Sequence, residues 1–362
     1  MKKLITVIVS IALLLVCGYV VARYFDRRYR DYEVVAEAEI PQGADIAYLN
    51  QACGTLSGGY FTLYTLNAEG GALETVFSGA IAGTIAACTD NYVAFEQEGT
   101  YSLYSLWEKQ FTQVCVLEGT EIVLKQFGND IYIRVDHLEQ NRTRHYMYER
   151  DSANLTDMDA QVDFEFVDYC KNLSTGEDYY LVYTPVGEYV RTGIRVYVNG
   201  KESAKLAEFD QVLYNKFYYA DGLFILIGQE KLLFLDEETL VCRQEYYYDT
   251  SALTQIILNK CAVFLAEEGY YFDGVNNLLS VQKTTQNLYY LPKHQFLCGY
   301  QDHLVYASGK QVYALDPASG SGDEAPIFST DKDIVELNFI GKDTIAVVFD
   351  GSLSIMQKST VI

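Results

Sequence analysis

The chain has 362 residues, 49% apolar and 21% charged, which excludes a disordered or collagen-like polymer and leaves ample material for a core. Its 27 Lys and Arg against 49 Asp and Glu give a net charge of −22. That balance excludes a nucleic-acid-binding face, because phosphate binding draws its affinity from clustered positive charge.

The first predicted element is a membrane span. Leu4 to Ala22 is 19 residues without a charge, and at a rise of about 1.5 Å per residue a helix of that length matches the hydrocarbon thickness of a bilayer. Lys2 and Lys3 precede it and Arg23, Arg27, Arg28 and Arg30 follow it, so basic residues flank both ends and the positive-inside count alone does not set the orientation. The opening Met-Lys-Lys looks like a bacterial export signal, which places the short N-terminal tail in the cytoplasm and the body outside it. The expected division is therefore residues 1–31 as tail, transmembrane anchor and juxtamembrane segment, and residues 32–362 as the folded body. Seven cysteines follow the span, odd in number and never in a Cys-x-x-Cys, so neither a zinc site nor a disulfide framework is indicated. They read as small strand residues, and as unpaired thiols they argue for a reducing surrounding against the export reading.

The body carries a repeat. Tight turns lie between two apolar runs at Gly59, Gly99, Asn141, Gly187, Gly228, Gly269, Gly309 and Gly351, in steps of 40, 42, 46, 41, 41, 40 and 42 residues. Before the turns stand near-continuous apolar runs such as Tyr92 to Phe95, Ile131 to Val135, Leu223 to Ile227 and Ile345 to Phe349. Strands buried on both faces read this way. With 32 Tyr and 18 Phe, and no convincing amphipathic helix after the anchor, the chain is predicted all-β. The period selects a β-propeller of eight four-stranded blades, with seven as the alternative because the step from Asn141 to Gly187 is irregular. Residues 33–40, in which Val34, Ala36, Ala38 and Ile40 alternate with Glu33, Val35, Glu37 and Glu39, are expected to pair with the last blade and close the ring.

Val312-Tyr-Ala-Leu-Asp-Pro-Ala-Ser-Gly320, and more weakly Leu232 to Leu240, resemble the repeat of quinoprotein-type, pyrroloquinoline-quinone-like propellers. In overall plan the chain resembles bacterial membrane-anchored propeller proteins of that kind. The resemblance implies fold alone. The tryptophan that usually docks each such repeat has no counterpart here, because Trp107 lies elsewhere, and no adjacent cysteine pair of the dehydrogenase kind is present. No cofactor is expected.

The four histidines stand at no metal-binding spacing, and Asp157, Asp159 and Asp163 lack the glycine and ligand spacing of a calcium loop, so no metal is predicted. The densest basic group, Arg134, Arg142, Arg144 and His145 with Arg150, is the candidate ligand-binding site, arginine being suited to bidentate contact with anions or an acidic loop. Read structurally, the same residues pair with Asp136, Glu139, Glu149 and Asp151 across one hairpin. The sequence thus predicts a membrane-tethered, non-enzymatic binding or scaffold module for a protein or cell-envelope ligand, with the catalytic residues of any enzyme unknown. The alternative is a surface glycan hydrolase or lyase using carboxylates in the funnel.

Overall fold

A computed structural model describes residues 32–67, 71–209, 214–220, 222–228, 231–247, 263–265, 269–273, 277–283, 286–292, 297–300, 303–315 and 326–358. The expected membrane span, Cys17, Cys261 and the segment Asp316 to Gly320 lie outside the described residues. Among the described residues no helix is long and apolar enough to cross a membrane.

The described strands form eight four-stranded antiparallel sheets. Blade 1 comprises Asp45–Leu49, Ala52–Ser57, Tyr60–Leu66 and Leu73–Ala80, and blade 2 Thr84–Cys88, Tyr92–Gln97, Thr100–Trp107 and Gln110–Glu118. Blade 3 comprises Glu121–Phe127, Asp130–His137, Arg142–Glu149 and Asn154–Asp157, and blade 4 Phe166–Asn172, Glu177–Val186, Tyr189–Val198 and Lys201–Phe209. Blades 5, 6 and 7 follow in the same order from Tyr214, Val263 and Cys298. Blade 8 is Ile334–Gly341, Thr344–Phe349 and Ser352–Lys358, with Tyr32–Glu39 as its fourth strand. First strands of neighbouring blades lie side by side, those of blades 8 and 1 included, except at the junctions of blades 3 with 4 and 5 with 6, which are joined by side-chain packing, so the sheets form a ring.

The apolar second strands explain why the sheets stack. In blade 5, Phe224 and Leu226 pack on Tyr179, Leu181 and Ile194 of blade 4, whereas Ile225 and Ile227 pack with Phe272 and Leu279 of blade 6. In blade 8, Ile345 and Val347 pack on Val305 and Val312 of blade 7, and Ala346 and Val348 on Tyr48 and Cys53 of blade 1. Successive side chains leave a strand on opposite faces, so a run that is apolar at every position buries both.

The junction of blades 8 and 1 is also held through the backbone. Gln51 N donates to Ile340 O at 2.5 Å, and Ile40 N to Gly351 O at 3.1 Å. The Tyr32–Glu39 strand pairs with Ser352–Lys358 from Tyr32↔Lys358 to Glu39↔Ser352. A bulge between Val34 and Ala36 corrects the simple alternation: Val35 packs inward, while Val34 is 42% exposed. One extra residue in a strand reverses the faces beyond it.

Gly59, Gly99, Asn141, Gly187, Gly309 and Gly351 all join second to third strands, with φ from +47° to +81°. Gly269 does not. Val263–Leu265 pairs with Gly269–Asp273 as first and second strands of blade 6, so the turn at Gly269 is one hairpin earlier than the period predicts. Two successive hairpins of one buried sheet carry the same apolar flanks, and period alone does not separate them. The cysteines also divide: Cys53, Cys170 and Cys298 are buried and Cys115 is half-buried, whereas Cys88 and Cys242 are exposed.

Candidate functional site

Blade 3 departs from its neighbours at its outer strand. In blade 2 the outer strand pairs along the whole third strand, from Thr100↔Glu118 to Trp107↔Gln110. In blade 3 Asn154–Asp157 pairs only with Tyr146 to Glu149, leaving Arg142 to His145 without an outer strand. The cause is local. Asp157 caps a 3-10 turn over Met158–Ala160, its carboxylate accepting from Asp159 N at 3.1 Å. Met158 is then buried between the blades against Met147, Phe166 and Tyr169. The chain leaves the sheet there and returns at Phe166, whereas Gly119 and Thr120 alone connect blades 2 and 3.

Between the uncovered strand and this longer linker lies a cleft of about 610 Å³. Arg142, Thr143, Arg144 and His145 form one wall, and Asp159, Asp163, Phe164, Glu165 and Phe166 the other, with Tyr183 of blade 4 at its side. Asp159 reaches back across it. Its carboxylate accepts from His145 N at 2.9 Å and bonds His145 Nδ1 at 2.7 Å. The His145 ring is stacked between Phe166, with centroids 4.0 Å apart, and Tyr132, 6.1 Å away. Burial alone would raise the pKa of Asp159, but the hydrogen bonds and charge of His145, with Arg144, hold it below the usual aspartate range.

Of the candidate residues, the structure brings Arg142, Arg144 and His145 together along this wall and sets Arg134 behind it. Arg134 sits on the second strand directly opposite His145, is 9% exposed, and pairs with Asp136 at 3.3 Å. Arg144 pairs with Asp157 at 3.2 Å and Arg150 with Asp151 at 3.6 Å. The structural pairing read from sequence therefore needs correcting. Asp157 and Asp159, from the outer strand and the linker, pair with Arg144 and His145, and among the described residues neither Glu139 nor Glu149 takes part. Among the described residues no acid pairs with Arg142. Three buried polar atoms, His145 Nε2 on this wall and Tyr132 OH and Arg134 Nε on the strand behind it, have no hydrogen-bond partner among the described residues.

Beneath the cleft, the first strands of three blades are tied by a pair that sequence reasoning missed. Lys125 Nζ of blade 3 donates to Asp168 Oδ2 of blade 4 at 2.5 Å and to Phe217 O of blade 5 at 2.7 Å. Phe217 N completes the link by donating to Asp168 Oδ2 at 3.1 Å. The separations of 43 and 92 residues are near one and two repeats, which is the signal that a repeat-by-repeat alignment of charges would have found.

The sequence matches no known protein-family model and no curated protein. Its fold does have counterparts among solved structures. Saccharomyces cerevisiae Sqt1 superimposes with a TM-score of 0.56 at 9% identity, covering 91% of this chain and 100% of that one. The WD40 domain of SCAP from fission yeast gives 0.50 at 9% identity over 91% and 98%. WD40 repeats build rings of four-stranded blades. The fold is a β-propeller. At this identity the likeness speaks for the propeller architecture alone, and the quinoprotein-type resemblance rests on sequence only.

Proposed function

We propose that this propeller is a membrane-tethered, non-enzymatic docking module whose cleft beside blade 3 receives a protein or cell-envelope component. The observation that carries the reading is the uncovered strand edge in that cleft, flanked by Arg142, Arg144 and His145. Sheet edges elsewhere on a folded body are normally paired, covered or blunted. Arg134 supports the wall from behind. The apolar run Leu4 to Ala22 supports the tether.

A photo-crosslinking residue at position 142, compared with one at the exposed Val116 on the outer strand of blade 2, tests the reading in intact membranes. A discrete adduct from position 142 and none from position 116 is the expected result. Equal, diffuse labelling from both would reject a localised docking site. Protease added to intact cells tests the topology: loss of the body is expected, and its survival would reverse the orientation.

A further inference from the structure

The uncovered part of the Arg142–Glu149 strand has a defined hydrogen-bonding side. His145 N turns away from blade 3's second strand to reach the Asp159 carboxylate. Backbone groups of an antiparallel strand alternate sides, so Thr143 N–H and C=O face the same way as those of His145. The Asp159 side chain stands in for a strand at His145. At Thr143 nothing does: among the described residues neither of its outward backbone groups has a backbone or side-chain partner. Thr143 lines the cleft, and His145, 2% exposed with Nε2 unpartnered, lies beside it on the same wall.

We propose that a partner protein inserts an extended acidic segment into this cleft as the remainder of blade 3's outer strand, pairing its backbone with Thr143. This rests on the docking reading above and assigns it a mode and a partner chemistry. Strand addition at an exposed edge draws affinity from main-chain hydrogen bonds and specificity from alternate side chains. The charge preference comes from Arg142, which is exposed and has no acid paired with it among the described residues. Opposite charges directly across a strand pair attract, and like charges repel. Asp163 and Glu165 stand on the far wall, so the acids belong at every second position of the segment, on the face of Arg142 and Arg144. Neutral residues suit the face of Thr143 and His145.

The test uses the full-length chain in detergent micelles and two fluorescein-labelled heptapeptides, one alternating Thr with Glu and its counterpart alternating Thr with Lys. The glutamate peptide is expected to bind about tenfold more tightly than the lysine peptide, as a cross-strand contact with Arg142 that changes from attractive to repulsive would give. Arg142→Glu should reverse that order. Thr143→Pro removes the outward N–H without removing any hydrogen bond between the second and third strands, and should abolish binding. Thr143→Val, which loses only the hydroxyl bonded to Asp136, should retain it. In the unmodified chain, saturating glutamate peptide should slow hydrogen exchange at the Thr143 amide. Binding that survives Thr143→Pro with no change in that exchange would overturn strand addition while leaving the docking reading intact. Failure of the glutamate peptide to bind at all would overturn the proposal. Self-association abolished by Thr143→Pro would make the occupant a second copy and reject the acidic partner.

Discussion

Blades 2 and 3 begin alike and end differently. Both have a second strand, Tyr92–Gln97 in one and Asp130–His137 in the other, whose apolar residues sit at 1% exposure or less. Both third strands follow a turn at positive φ, at Gly99 and Asn141. The outer strand then covers the whole third strand in blade 2 and half of it in blade 3. The inner half of a blade is fixed by packing against two neighbours and has little room to vary. The outer half is held mainly by its own hairpin, and a single capped turn at Asp157 is enough to redirect it and open a cleft.

The largest expected effect lies beneath that cleft, where the two blades share no equivalent device. Asp168→Ala strands Lys125 beside the backbone carbonyls of blades 4 and 5, and should cost about 3–5 kcal/mol in denaturant unfolding, the usual consequence of orphaning a buried charge. An unfolding midpoint unchanged from the parent would show that the link carries no load.

The connections between blades should differ next. A Cβ at Gly119 would stand 2.1 Å from Val135 Cγ1 and 3.2 Å from Asp136 O, so Gly119→Ala should destabilise by about 1–3 kcal/mol through overpacking. Gln161→Ala in the longer linker after blade 3 should change stability by less than about 0.5 kcal/mol. Equal costs at both sites would remove the distinction between a taut and a slack connection.

Asp159→Ala should cost about 1–2 kcal/mol, by leaving His145 N–H and Nδ1 without their acceptor. The same contact sets a pH dependence. A carboxylate whose pKa is depressed in the folded state stabilises above its unfolded value and loses that contribution as pH falls through the folded one. Asp159 should thus support stability at neutral pH and cease to do so below the ordinary aspartate value of 3.8. A parent-minus-Asp159→Ala stability difference that grows on acidification would contradict this sign.

The same contrast separates what was legible in the sequence from what was not. Runs such as Leu223 to Ile227 and Ile345 to Phe349 are apolar at every position because both of their faces are buried, and their spacing gave the propeller. Where one residue decides the outcome, pattern misleads. The bulge after Val34 turned that side chain outward, and the turn at Gly269 belonged to the preceding hairpin. Arg142, Arg144 and His145 were visible as a basic group, but the feature that gathers them was not. Asp157 and Asp159 were weighed only as calcium ligands, since nothing in their identity says that one caps a turn and the other reaches back to a strand. Lys125 and Asp168 were hidden by lying in different repeats.

The most direct test is amide hydrogen exchange across the third strands of blades 2 and 3 in the free protein. The amides of Thr100–Trp107 that face Gln110–Glu118 should be strongly protected, and Thr143 should exchange close to the rate of an unpaired backbone amide. Protection at Thr143 equal to that in blade 2 would mean that the edge of blade 3 is already covered and offers nothing to dock on.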